Sequence, residues 1–172
     1  MIPYDLTKIK ALILDVDGVL SQETINMDTN GVPARTVNIK DGYAIQLAVK
    51  LGLLVAIITG GNSDAIYKRY HNLGVNEIFM NSKLKIENFQ SLLKKYGLQP
   101  EEVIFMGDDI PDYEVMALCG CPCCPKDAAP EIKEISKYIA SREGGKGCVR
   151  EVLEQILKAQ DKWNLDKIAF GW

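Results

Sequence analysis

Ala11-Leu12-Ile13-Leu14-Asp15-Val16-Asp17-Gly18-Val19-Leu20 runs four apolar residues into two carboxylates one position apart, with a glycine directly behind them. No polar residue interrupts the apolar run, which predicts a strand buried on both faces. An unpaired buried carboxylate is very costly. Asp15 and Asp17 therefore belong where the strand emerges, and Gly18 lets the chain turn sharply there. Open parallel sheets bind ligands outside the carboxyl ends of their strands, and two acids at such an end are a seat for a divalent cation.

The 172 residues suit one domain spanning 1–172, and the net charge of −3 gives no electrostatic case for nucleic acid or an anionic membrane as partner. No apolar run approaches ~18 residues, so no transmembrane helix is expected. Met1-Ile2-Pro3-Tyr4-Asp5 lacks the basic and apolar regions of a signal peptide, which makes the cytoplasm the expected location. Of five cysteines, four crowd into Cys119-Gly-Cys121-Pro-Cys123-Cys124. The C-x-x-C spacing there has no second ligand pair to complete a zinc site, and Cys is among the most buried residue types, so a small apolar strand is expected.

Outward from the acidic strand end, Asp28-Thr29-Asn30-Gly31 separates Thr24-Ile25-Asn26-Met27 from Arg35-Thr36-Val37-Asn38-Ile39. Asn-Gly between two such runs predicts a β-hairpin, and at 21–38 it reads as a flap beside the acids. Asp41-Gly42-Tyr43 opens a helix whose Ala44, Ile45, Leu47, Ala48 and Leu51 follow helical spacing. A second buried strand, 53–58, empties into Thr59-Gly60-Gly61-Asn62-Ser63 ahead of a helix, a turn suited to cradle an anion with backbone N–H groups. His71, late in that helix, reads as structural or solvated. A third strand, 77–80, precedes a helix over 83–96 that begins with Lys83 and Lys85. The helix dipole disfavours cations there, a cost that a bound anion offsets. Val103-Ile104-Phe105-Met106 empties into Gly107-Asp108-Asp109-Ile110-Pro111-Asp112, where three carboxylates repel unless they share a cation. Residues 119–124 read as an edge-like strand interrupted by Pro122, followed by a short strand at 138–139 and a helix over 146–160. This alternation predicts an α/β fold, a doubly wound, Rossmann-like parallel sheet flanked by helices.

Acidic pair, threonine, lysine and acidic cluster, in that order and all at strand ends or helix starts, resemble the four motifs of the haloacid dehalogenase-like phosphatase superfamily. Asp15-Val16-Asp17-Gly18 matches D-x-D-G, Thr59 the threonine, Lys85 the helix-start lysine, and Gly107-Asp108-Asp109 with Asp112 the pattern G-D-D-x-x-D. The resemblance implies Asp15 as nucleophile and Asp17 as general acid and base. It implies magnesium (Mg2+) held by the Asp15 carboxylate, the Asp17 backbone carbonyl and Asp108. Thr59, Gly60 and Lys85 would bind phosphate, with Asp109 and Asp112 orienting water ligands and Lys85.

Neither gap between motifs has room for an inserted cap domain, so the chain resembles the capless branch. That branch closes its sites by forming homotetramers. Within it the match is to phosphatases of eight-carbon 3-deoxy-2-keto sugar-acid phosphates, enzymes of lipopolysaccharide sugar synthesis. It rests on Lys40-Asp41-Gly42-Tyr43, on Arg69 with Leu73-Gly74, on Asp127-Ala128-x-Pro130 and on Gly144-Gly145-x-Gly147-x-Val149-Arg150-Glu151. The resemblance makes Asp41, Gly61 and Arg69 candidate substrate contacts, and gives Gly144 and Gly145 either a carboxylate or a subunit contact. Where the branch commonly has Arg after Thr-Gly, and a nine-carbon sister has Glu, this chain has Gly61. In the resembled enzymes the tail, here 163–172 with the aromatics Phe170 and Trp172, reaches a neighbouring site.

Other classes fit less well. A calcium loop needs oxygen and Gly where Val19 and Leu20 stand. A receiver-type phosphoacceptor places its acidic cluster before the lysine. A phosphomutase generally carries a cap, and a non-catalytic scaffold would show a degenerate motif.

Overall fold

A computed structural model describes residues 1–164; the tail aromatics Phe170 and Trp172 lie outside the described residues. β1 (Ala11–Leu14) leads into an antiparallel hairpin, β2 (Asn26–Met27) and β3 (Pro33–Ala34). Then follow α1 (Ile39–Lys50), β4 (Leu54–Ile58), α2 (Asp64–Asn72), β5 (Glu77–Phe79), α3 (Lys85–Tyr96) and β6 (Val103–Met106). The chain continues through α4 (Tyr113–Leu118), β7 (Cys121–Cys124), α5 (Pro130–Ile135), β8 (Tyr138–Ile139) and α6 (Cys148–Ala159). Apart from the hairpin, all strands form one parallel sheet in the order β5-β4-β1-β6-β7-β8. After β1 the chain adds strands on one side and then returns to place β6 on the other. The crevice where the order reverses lies at the carboxyl ends of β1 and β6, the place where such sheets bind ligands.

Strand periodicity divides the core into two layers. Leu12 and Leu14 of β1 face α1, α2 and α6, packing with Ile45, Tyr70, Val152 and Ile156. Ala11 and Ile13 face α3, α4 and α5, packing with Phe89, Leu92, Met116 and Ile132. With all four β1 residues fully buried and each large aliphatic side chain contributing about 1.5–3 kcal/mol on burial, this strand is the axis of the fold. The five cysteines are buried free thiols, and those of β7 divide between the two layers, as small core residues.

Several element bounds, and the position of one strand, differ from expectation. The second hairpin strand is Pro33–Ala34, ahead of Arg35. α1 begins at Ile39 because the Asn38 side chain caps it, accepting from the N–H groups of Lys40 and Asp41. α3 begins at Lys85, two residues after Lys83. β7 is an interior strand. It tolerates Pro122 because N and O of one strand residue point to the same side. The Pro122 carbonyl accepts from Lys137 N on the β8 side, and β8 pairs only with Cys123 and Cys124, so the missing N–H costs no bond to β6. At the start of the tail segment, Trp163 packs edge-on to Tyr43 at 6.4 Å and beside the Arg150 guanidinium at 5.2 Å. His71 is exposed and stacks on Tyr67.

Candidate active site

Asp15 extends the β1 ladder by one bond, its N–H donating to Met106 O at 3.0 Å. The chain then turns: Val19 and Ser21 both donate to Val16 O, and Gly18 adopts φ +81°. A side chain at Gly18 has no room, since its Cβ would lie 1.9 Å from Asp108 Oδ2. The end of β6 thus folds its first acid over the turn that follows β1. Gly144 and Gly145 support that turn from beneath. A Cβ on Gly144 would lie 1.8 Å from Gly18 O, and Gly145 N donates to Val19 O at 2.8 Å. These glycines serve the turn itself, through close backbone approach.

Lys85 ties the acids together. Its Nζ lies 2.9 Å from Asp15 Oδ2 and 2.6 Å from Asp112 Oδ1, with all three side chains buried. Asp112 Oδ2 accepts from Asp108 N at 3.1 Å, so both Asp112 oxygens are committed. Burial opposes the charge on Lys85, but Asp15 and Asp112 together raise its pKa above the usual value. Burial, and then the Asp112 charge, push Asp15 up to about 7. Burial, then Asp15 and Asp112, push Asp108 up to about 8. One lysine does not neutralise this cluster.

Asp15 Oδ1 is buried with no hydrogen-bond partner, and single oxygens of Asp15, Asp108 and Asp112 lie within 4.8 Å of one another. An orphaned carboxylate oxygen within a set of hard oxygen donors fits a small divalent cation. The Asp17 carboxylate is outside that set, which leaves only its backbone carbonyl for such an ion. On the opposite wall, Thr59 is buried and its Oγ1 accepts from Gly61 N at 3.1 Å. Gly60 and Gly61 line a cleft of about 810 Å³ together with Asp15, Asp17, Lys85, Asp108 and Asp112.

The remaining candidates separate. Asp109 lines the cleft with an exposed side chain, and the orienting contacts on Lys85 come from Asp15 and Asp112 instead. Asp41 is not in the cleft. It is 1 % exposed between α1 and α6, where Oδ1 accepts the Arg150 N–H at 2.6 Å and so caps the start of α6. Burial raises its pKa to about 6 against the pull of the Arg150 and Gly147 N–H groups. A carboxylate so engaged is a packing element, which corrects its expected substrate role. Arg69 also lies outside the cleft, in an adjoining groove between the hairpin and α2. Gly42 makes room for it, since a Cβ there would lie 2.6 Å from an Arg69 guanidinium nitrogen.

Sequence patterns missed Arg35. Its Nε and Nη2 donate to Asp17 Oδ1 and Oδ2 at 2.6 and 2.8 Å. The one available signal was its place in a hairpin that leaves from the acidic turn. Glu23 and Asp127 also line the cleft.

Comparison with known proteins agrees with this geometry. Residues 39–120 match the haloacid dehalogenase-like hydrolase family. The 3-deoxy-D-manno-octulosonate 8-phosphate phosphatase of Salmonella typhimurium is 39% identical over 93% of this chain and 87% of its own. That of Escherichia coli is 39% identical over 90% of this chain and 82% of its own. The crystal structure of the Yersinia pestis enzyme superposes with TM-score 0.88 at 37% identity, covering 92% of this chain and 85% of that one. The Moraxella catarrhalis enzyme, in complex with magnesium, phosphate and KDO, superposes with TM-score 0.88 at 32% identity over 92% of this chain and 91% of that one. Likeness of this extent in both sequence and fold makes the chain a member of the haloacid dehalogenase-like hydrolases.

Proposed function

We propose that this protein is a magnesium-dependent phosphomonoesterase that removes the phosphate of 3-deoxy-D-manno-octulosonate 8-phosphate, a step in making lipopolysaccharide sugars. The observation that carries the reading is Asp15. It is a buried carboxylate at the topological switch point, with one oxygen fixed by Lys85 and the other without a partner. The named relatives supply the substrate.

In the proposed reaction Asp15 attacks phosphorus, forming an aspartyl-phosphate as the ester P–O bond breaks. Asp17 gives its proton to the departing sugar oxygen. It then takes one from the water that attacks the aspartyl-phosphate, releasing inorganic phosphate and restoring Asp15. A carboxylate accepting two guanidinium N–H bonds is ionised, so Asp17 must take up a proton before the first step. Thr59 Oγ1, the Gly60 turn and Lys85 hold phosphate oxygens, and Asp112 keeps Lys85 aimed at Asp15. Magnesium would be held by the Asp15 and Asp108 carboxylates and the Asp17 carbonyl. When bound, it supplies the positive charge that offsets repulsion between an anionic nucleophile and an anionic phosphoryl group.

Only a short hairpin stands where a cap would cover the cleft, and Met27, Val32, Val37 and Ile39, on and beside it, are exposed apolar side chains. That supports a homotetramer in which neighbouring copies close each site. No helix among the described residues is long and apolar enough to cross a membrane, and a cytoplasmic enzyme is part of the reading.

The test is a phosphate-release assay with magnesium on eight-carbon and nine-carbon keto-sugar-acid phosphates and on simple hexose phosphates. The eight-carbon substrate is expected to give the highest kcat/KM by at least about tenfold. Equal rates on all three overturn the substrate assignment.

The raised carboxyls also set a pH dependence. Asp15 and Asp108 keep protons in the metal-free folded protein up to about 7 and about 8. The stability this proton binding confers is full below the unfolded carboxyl value of 3.8 and is lost as pH rises through 7 to 8. Magnesium competes with those protons. Its apparent affinity, read by calorimetry or from the rise in Tm, is expected to increase from about pH 6 to about pH 8 and then level off. A pH-independent affinity contradicts the assignment of these two carboxylates as ligands.

A further inference from the structure

Arg35 belongs to none of the four motifs, yet it is the one arginine in contact with a proposed reacting group among the described residues. Its side chain is 8 % exposed. The position is held from behind, since Thr36 N donates to Ser21 Oγ at 3.0 Å and Thr36 Oγ1 accepts from Gln22 N at 3.1 Å. Ser21 is fully buried. The guanidinium therefore projects from a segment stitched to the turn that carries Asp17.

Gly61 makes its place. A Cβ at Gly61 would stand 2.6 Å from Arg35 Nη2, 3.2 Å from Cζ and 3.3 Å from Asp17 Oδ2. The Gly61 backbone cannot easily yield, because its N–H donates to Thr59 Oγ1 and its carbonyl accepts from Asn81 N. The absent side chain at 61 and the arginine from the hairpin thus occupy one volume.

We infer that Arg35 is a specificity-determining residue whose guanidinium receives a carboxylate on the organic part of the substrate. The inference rests on the reaction proposed above, and place, chemistry and charge carry it. Asp17 must reach the oxygen that leaves with the sugar, so a group bonded to the Asp17 carboxylate lies alongside the leaving group and away from the phosphoryl end. The planar fork of arginine matches a carboxylate through two parallel bonds. Asp17 occupies the edge formed by Nε and Nη2. The second edge, Nη1 with the other N–H of Nη2, is left for a ligand, since a guanidinium carries five N–H donors. Arg35 lines the groove between the hairpin and α2 that adjoins the cleft, together with Arg69, and the cleft itself is lined by Glu23, Asp109 and Asp127. A carboxylated substrate meets repulsion there unless a cation receives it, and Lys85 is already committed to Asp15 and Asp112.

The experiment uses the full-length protein with magnesium and compares kcat/KM for the eight-carbon keto-sugar-acid phosphate with that for ribose 5-phosphate, which has no carboxylate. The readout is the ratio of the two. Any effect of Arg35 on Asp17 itself is common to both substrates and cancels. Arg35→Ala is expected to lower the ratio by about 10- to 100-fold, the worth of one hydrogen-bonded charge. Gly61→Ala keeps the arginine but pushes the guanidinium aside, and is expected to lower the ratio in the same direction. If wild type favours the carboxylated substrate and both variants keep that preference, even with slower turnover, Arg35 acts only through Asp17 and the inference is overturned while the proposed reaction stands. If wild type shows no preference, the proposed substrate class fails and the inference with it.

Discussion

Asp15→Asn is expected to lower phosphate release by roughly 10³-fold or more, because an amide cannot form the aspartyl-phosphate on which both halves of the reaction depend. The fold should survive. The amide side chain would keep the shape of the carboxylate and one oxygen for Lys85, and the substitution removes a charge that burial and Asp112 already disfavour. In metal-free protein the Tm of the variant is therefore expected to equal or exceed that of wild type at neutral pH. In wild type magnesium raises Tm, and that rise should shrink in the variant because one carboxylate ligand is gone. A variant that is inactive because it is unfolded contradicts this account, as does one with near-normal turnover.

Lys85→Met is expected to damage both activity and stability. The side chain is 5 % exposed and is the single cation between two buried carboxylates. Removing one partner of a buried charge pair leaves the others uncompensated, at a cost of about 3–5 kcal/mol. Denaturant unfolding of the metal-free protein should show that loss as a lower midpoint with an unchanged slope. Activity should fall by about 10²-fold or more even in folded protein, because the phosphate loses its donor and Asp15 its orientation. A second change, Asp112→Asn, removes one of the stranded charges. The double variant is expected to recover part of the stability and none of the activity. If Asp112→Asn fails to recover stability in the Lys85→Met background, the lysine is held by packing more than by the acids.

Most of the architecture and the core of the site were legible because they depend on short-range pattern. An uninterrupted apolar run ending in D-x-D-G can hardly be anything but a buried strand emerging at a polar end. The same pattern put Thr59 and Asp108 at strand ends and Lys85 near a helix start, and the family resemblance singled these three out. What escaped depends on contacts between distant residues. Asp41 reads in sequence as an acid at the opening of a helix, and only the packing of α1 on α6 buries it against Arg150 N, 109 positions away. Arg35 meets Asp17 across 18 positions through a hairpin whose path no periodicity encodes. For Gly144 and Gly145 the sequence leaves a carboxylate and a subunit contact both open; their support of the Gly18 turn shows only in the Gly18 carbonyl that stands where a Gly144 Cβ would sit. Pro122 argued for an edge strand, and the brevity of β8 made an interior one possible.

The central claim is that Asp15 carries the phosphoryl group. The most direct measurement is an acid quench during turnover of 3-deoxy-D-manno-octulosonate 8-phosphate labelled in its phosphate, followed by peptide mapping of the protein. The predicted result is protein-bound label that is stable in acid, is lost in base and maps to the peptide containing Asp15. Turnover with no label on the protein, or with label on a peptide lacking Asp15, would contradict it.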